Sequence, residues 1–215
     1  PPNTGFATGF RAWGLKYRWF ALLTIVAGNI AALLAGTIVN VAIPDIMGAF
    51  GISQVDAQWL STANLAAATV AMLASSWMVR VLGLRQTVHI TTYLLLAGSL
   101  LGGLATNTGI MIVARIMQGI TAGVLTPVST MLIFQVFLPG RQGVAIGITS
   151  VGAILAPAMG PAIGGVLIDT YSWRYVFYAG IPFSLLTLAA SSFFMPTRQP
   201  LPTRVPFDWS GMIAL

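Results

Sequence analysis

The chain has 215 residues, of which 57% are hydrophobic and only 7% are charged, and its mean hydropathy is +0.88. Soluble domains carry roughly a quarter charged residues, so this composition excludes an ordinary soluble fold. Apolar runs of about 20 residues predict membrane-spanning helices, whereas an outer-membrane barrel would show alternating segments of about 10 residues. We therefore expect an all-α, multi-pass protein of the lipid bilayer.

The net charge of +6 does not indicate nucleic-acid binding, because the basic residues are scattered singly near the ends of apolar runs. The absence of cysteine excludes disulfides and sites built on thiolates. No phosphate loop, paired carboxylates or nucleophile–base set is present. We expect no enzyme activity, no cofactor, no metal site and no nucleic-acid partner.

The chain opens with a polar, basic segment over residues 1–18, which we expect to be cytoplasmic. Helix 1 then begins near Trp19 and is expected to end at Pro44, since proline breaks helices. The apolar runs predict a bundle of six helices over residues 19–195. The predicted helices cover about 19–43, 57–79, 87–105, 110–136, 144–168 and 175–195.

A proline-rich, basic linker over residues 196–206 follows the bundle, and residues 207–215 begin a seventh helix. The first apolar run is too long for a cleavable signal peptide. The chain starts abruptly at Pro1 and stops inside an apolar run, so we expect it to be part of a longer protein.

The distribution of basic residues predicts the orientation of the bundle. With the N-terminus inside, the outer segments hold only Arg174. Such a bias predicts a cytoplasmic N-terminus in the inner membrane. The inner segments hold eight basic residues: Arg11, Lys16, Arg18, Arg80, Arg85, Arg141, Arg198 and Arg204.

Helix 4 places Arg115, Gly119 and Gly123 on one face. The arginine could snorkel to the interface, as long cationic side chains do. The alternative is a buried cation that faces a water-filled cavity, which is costly unless it is functional. The flanking glycines favour this second interpretation, because they direct that face toward protein.

Uncharged polar side chains also lie at membrane depth. Asn29 and Asn40 are eleven residues apart on helix 1 and are expected to share a face; Asn64 lies on helix 2 and Gln118 on helix 4. Simple interhelical hydrogen bonds would explain each of them. Together with Arg115 they predict a polar substrate cavity.

Helix 5 carries a ridge without large side chains, formed by Gly152, Ala156, Gly160 and Gly164 at every fourth position. Pro157 and Pro161 each remove a backbone donor and are expected to bend the helix. We expect another helix to pack closely on this ridge, because an uncovered, bent helix is costly in a membrane.

These patterns resemble the N-terminal six-helix half of a major facilitator superfamily transporter, in the 14-helix drug:proton antiporter group (EmrB/QacA-like). The resemblance extends from helix 1 to the start of the seventh helix. Five segments carry it in the right order: TIVNVAIPDI (37–46), RIMQGITAGVLTP (115–127), APAMGPAIGG (156–165), WRYVFYAGIP (173–182) and FDWSG (207–211).

The resemblance implies proton-coupled efflux of hydrophobic or cationic small molecules, such as drugs, across the inner membrane. Substrate would bind between this bundle and a second one, in a cavity lined by helices 1, 2, 4 and 5. Gly160, Pro161, Gly164 and Gly165 align with the antiporter motif, and helix 5 would be the surface on which the halves rock. A periplasmic adaptor and an outer-membrane channel are further implied partners.

The chain departs from the family pattern at two places. Ala35 stands where the group usually has an aspartate. The segment SWMVRVLGLR (76–85) keeps Gly83 and ends at Arg85, but has Arg80 where an aspartate is usual.

No acid lies deep in the membrane in this half. Arg115, Asp45 and Asp169 are therefore the coupling candidates here, unless the titrating carboxylate lies in a second half.

Two alternatives to drug export stay open at this point. One is uptake of a metabolite by proton symport, against which the helix 5 motif argues. The other is a non-transporting membrane sensor or scaffold of the same fold, which the missing carboxylates leave open.

Overall fold

The structure is a computed structural model, and it describes residues 17–195. Most of the predicted N-terminal segment, the linker over residues 196–206 and the start of the seventh helix lie outside the described residues.

The described residues form six α-helices and no strand, which confirms the predicted all-α bundle. Two short 3-10 helices, Pro139–Arg141 and Trp173–Phe177, lie before the last two α-helices. The α-helices are α1 (Tyr17–Phe50), α2 (Gln54–Leu82), α3 (Leu84–Gly103), α4 (Thr108–Val136), α5 (Gln142–Thr170) and α6 (Ile181–Phe194).

Five of these helical segments within residues 17–195 are long and apolar enough to cross a membrane; α3 is outside that set. The 20 residues of α3 still span about 30 Å at 1.5 Å per residue. Three threonines of α3 face the bundle: Thr87, Thr91 and Thr92. Their hydroxyl groups donate to carbonyls of the preceding turn, so they remain satisfied without water.

The expected end of helix 1 at Pro44 is wrong, because α1 continues through Pro44 to Phe50. Proline removes only one backbone donor, and the turn that follows it is fixed by packing. Ile46 is fully buried, and the Phe50 ring lies edge-on to Trp173 at 5.7 Å. Asp45 therefore lies on a helix and not in a loop.

The connections at either end of α2 are shorter than predicted. Gly51 adopts a φ of +62° after α1, and Ser53 and Asp56 then form a capping box at the start of α2. At the other end α2 extends past Arg80, and Gly83 alone separates it from α3. Gly83 has a φ of +84°, a conformation that glycine adopts without steric cost, which explains its place in this turn.

Close packing of α4 on α2 depends on Gly119 and Gly123. A Cβ atom built on Gly119 would overlap the carbonyl of Asn64, and one built on Gly123 would overlap the carbonyl of Ala68. These glycines therefore allow backbone to approach backbone, as we expected from the sequence. On its other side α4 contacts α3, where the carbonyl of Ala114 lies 2.9 Å from the position of a Cβ on Gly98.

The ridge on α5 packs against α1 of the same bundle. Gly152, Ala156, Gly160 and Gly164 are all buried, and the last two contact Thr37 and Ile38. The opposite face of α5 is exposed in the described residues. The expected close packing of another helix on this ridge is therefore confirmed. The contact lies inside this bundle, between α1 and α5, so the ridge is not the exposed surface of α5.

We predict that Gly160→Leu disrupts the contact between α1 and α5. A Cβ at Gly160 would lie 2.7 Å from Thr37 Oγ1, whereas nothing lies within 4 Å of a Cβ at Gly165. Overpacking of this kind costs about 1–3 kcal/mol. Thermal unfolding of the full-length protein in detergent should show the loss, and Gly165→Leu is the matched control on the same helix. Equal stability of the two variants would contradict this role of the ridge.

Candidate functional site

Arg115 is fully buried and joins three helices through its guanidinium. Its Nε donates to the carbonyl of Leu60 on α2 at 3.1 Å. Nη1 donates to the carbonyl of Ala35 on α1 at 2.7 Å and to Gln118 Oε1 at 2.9 Å. Nη2 donates to the carbonyl of Gly36 at 2.9 Å. The fork geometry of guanidinium suits this divergent set of acceptors, which a lysine could not satisfy.

The network extends to two further side chains. Asn64 Nδ2 donates to the backbone carbonyl of Arg115 at 3.0 Å, beside the contact of Gly119 with α2. Gln118 Nε2 donates to Ser99 Oγ on α3 at 3.4 Å. Arg115 therefore does not snorkel to the interface. It lies in a hydrogen-bond network that connects α1, α2, α3 and α4.

The acceptors of this network are all neutral oxygens. Residues 17–195 contain three carboxylates, Asp45, Asp56 and Asp169, and all three are exposed. None of them accepts a hydrogen bond from Arg115. The two coupling candidates Asp45 and Asp169 thus lie near the ends of α1 and α5, apart from the arginine.

A cleft of about 290 Å³ opens between α1, α2 and α4, and Arg115 lies in its wall. Asn40 and Asn64 line it, as the sequence predicted for a polar cavity. Ser61 Oγ donates to Asn40 Oδ1 at 2.8 Å across the cleft. Most of the remaining lining is apolar and includes Leu33, Leu65 and Met72.

The structure does not bring Asn29 to the cleft. Asn29 is buried, and neither atom of its amide makes a hydrogen bond within residues 17–195. Gln118 is also absent from the lining and reaches the site only through Arg115. Asn29 and Asn40 do lie on the same side of α1, as their spacing predicts. Neighbouring helices cover α1 at Asn29, however, and leave it open at Asn40.

Sequence reasoning missed several residues of the cleft. Gly36, Thr37, Ser61 and Thr126 all contribute to its wall. The sequence could have predicted two of them from helical spacing. Thr37 precedes Asn40 by three residues, and Ser61 precedes Asn64 by three residues, which is about one helical turn in each case.

The remaining predicted residues lie elsewhere. Pro157, Pro161 and Gly165 on α5 are absent from the lining of this cleft. Arg80 is exposed, and Arg85 is partly buried beside the Gly83 turn.

Residues 25–211 match the Major Facilitator Superfamily, which covers most of the chain. The chain belongs to the major facilitator superfamily. Its architecture agrees, because it superposes on a proton:xylose symporter of this superfamily with a TM-score of 0.73. That likeness has 16% sequence identity and covers 82% of this chain and 44% of the symporter, so it shows the fold alone.

Several relatives carry names that concern drug export. The chain is 28% identical over 193 residues to the multidrug export protein EmrB of Haemophilus influenzae, covering 90% of this chain and 38% of that protein. It is 33% identical over 172 residues to a puromycin resistance protein of Streptomyces alboniger, covering 80% and 34%. It is 30% identical over 192 residues to the uncharacterized transporter YhcA of Bacillus subtilis, covering 89% and 36%.

The chain thus spans little more than a third of the length of these curated relatives. The family match and the six-helix fold place the chain among multi-pass membrane transporters.

We predict that Arg115→Lys destabilises the bundle, because an ammonium group cannot reach the carbonyls of Ala35, Gly36 and Leu60 together. Each hydrogen bond lost from a charged donor costs about 1.5–3 kcal/mol, although the carbonyls keep their partners within the helices. Thermal unfolding of the full-length protein should report this loss. Arg80→Lys, at an exposed arginine, provides the control. If Arg115→Lys unfolds at the temperature of the control, the network does not hold the three helices together.

Proposed function

We propose that the full-length protein exports hydrophobic small molecules from the cell in exchange for protons, as a multidrug antiporter of the inner membrane with a cytoplasmic N-terminus. The observation that carries the proposal is Arg115, fully buried and hydrogen-bonded across α1, α2 and α4 in the wall of a cleft. A charge at membrane depth is expensive and is normally kept for a substrate or ion path. The names of the drug-exporting relatives support the same function.

The lining of the cleft suits a mainly apolar substrate. Leu33, Leu65 and Met72 supply apolar surface, and methionine adapts to guests of different shape. Asn40 and Asn64 add a few polar contacts that would orient the guest. Transporters of this kind bind substrate near the midplane, between two bundles, so we place a second bundle over this cleft.

Proton coupling needs a group that titrates, and the network around Arg115 offers only neutral acceptors. We therefore place the titrating carboxylate of the transport cycle in a second bundle, with Asp45 and Asp169 as the remaining candidates in this one. A periplasmic adaptor and an outer-membrane channel are proposed partners on the basis of the family resemblance alone.

A transport assay in cells tests the proposal. Cells that lack their main efflux pumps and carry the full-length gene should expel Nile red, an uncharged hydrophobic dye, and a protonophore should stop the efflux. We expect Arg115→Ala to lose efflux at least about tenfold, the effect of about 1.4 kcal/mol. Normal proton-driven efflux in that variant, at equal membrane abundance, would count against the role of Arg115.

Proteoliposomes separate export from the two alternatives. When substrate is added outside vesicles that contain a pH-sensitive dye, antiport should raise the internal pH, because protons leave as substrate enters. Symport would lower the internal pH instead. A sensor or scaffold would leave it unchanged, and either of these results would overturn the proposal.

A further inference from the structure

We infer that the cleft selects amphipathic organic anions, with an apolar body and a carboxylate or similar group, over permanent cations. This inference rests on the proposed function and adds the class of substrate. It depends on the charge of the cleft wall and on one hydrogen-bond donor, the amide of Asn40, that remains unused there.

Within residues 17–195, the wall of the cleft carries one cation, Arg115, which has no anionic partner. Arg115 lies at the cleft, and its acceptors are the carbonyls of Ala35, Gly36 and Leu60 and the amide oxygen of Gln118. Neutral acceptors satisfy the N–H groups but leave the positive charge in place. In a cleft of low dielectric that charge attracts an anion and repels a cation much more strongly than it would in water.

Ala35 also brings no charge to Arg115. Ala35 is buried, and its Cβ points toward Gly180 at the start of α6, 3.9 Å from the position of a Cβ there. It meets Arg115 only through its carbonyl. The one acid of α1, Asp45, is exposed and is absent from the lining of the cleft, so no side chain of α1 brings a negative charge to the guanidinium.

The cleft offers an unused hydrogen-bond donor to an anion. Asn40 Oδ1 is occupied by the hydroxyl of Ser61, while Asn40 Nδ2 makes no hydrogen bond within residues 17–195. The guanidinium of Arg115 has five N–H groups, of which four are engaged, and the side chain is fully buried, so it acts on a substrate through its charge. The N–H groups of the exposed Asn40 amide match the oxygens of a carboxylate, which only accepts hydrogen bonds.

The lining supplies the other half of an amphipathic guest. Leu33, Leu65, Ala68 and Met72 lie in the same cleft as Asn40 and Arg115. A substrate that places its apolar body against these residues can direct one anionic group at the amide of Asn40, on the side of the cleft wall that holds Arg115. A permanent cation of the same size would fill the same surface but would face the charge of Arg115.

Gln118→Glu provides a test that changes charge and almost no shape. Gln118 Oε1 already accepts from Arg115 Nη1 at 2.9 Å, so a carboxylate there neutralises the arginine in place. Binding of fluorescein, an anion, and rhodamine 123, a cation on the same xanthene frame, is measured by fluorescence polarisation on purified full-length protein. Wild type should prefer fluorescein at least about tenfold, and Gln118→Glu should lower that ratio at least about tenfold.

Two further variants keep the test decisive. Asn40→Asp adds the same charge at an exposed position of the cleft and should also lower the ratio, even if the buried Gln118→Glu fails to fold. Gln54→Glu, at the exposed start of α2 and outside the cleft, should leave the ratio unchanged.

Nile red efflux separates this inference from the proposed function. If wild type expels Nile red but prefers rhodamine 123, or binds neither charged dye, the anion preference is wrong and export stands. An unchanged ratio in both cleft variants would also overturn the inference, because a carboxylate of a second bundle would then already neutralise Arg115. Loss of Nile red efflux itself would instead contradict the proposed function.

Discussion

The hydrogen bonds of one buried guanidinium determine how this bundle is built. Arg115 needs several acceptors and finds them in main-chain carbonyls of α1 and α2 and in Gln118 of its own helix. Carbonyls within a helix are already engaged along the axis, so the neighbouring helices must lie very close for the side chain to reach them. The position of α4 between α1 and α2 is therefore a condition for burying this charge, and the cleft lies where these helices diverge.

Glycine makes that proximity possible. Apolar helices gain little from leaving lipid for one another, so contact depends on close van der Waals packing and on hydrogen bonds. Gly119 and Gly123 let α4 reach the backbone of α2, and Gly160 and Gly164 let α5 reach α1. Two rows of small residues on two helices thus hold four helices at the short distances that the arginine network requires.

The sequence contained the features that follow from local chemistry. Six apolar runs, the contact faces of Gly119 and Gly160, and the burial of Arg115 could each be predicted from composition and helical spacing. What failed depended on neighbours that are distant in sequence. Pro44 does not end α1, because packing of Ile46 and Phe50 holds the following turn. Asn29 and Asn40 have the same helical phase but different surroundings, and Ser61 enters the site only because α2 crosses α1 there.

The acceptors of Arg115 also constrain where energy coupling can reside. Backbone carbonyls and an amide do not change protonation in the physiological range, so the network cannot switch its own charge. The three carboxylates of residues 17–195 are exposed and take no part in it. This bundle therefore supplies a constant electrostatic field at the cleft wall. Under the antiport proposed here, the proton must act through a group that approaches this wall in one state of the cycle and leaves it in another, as a residue on an opposing bundle can.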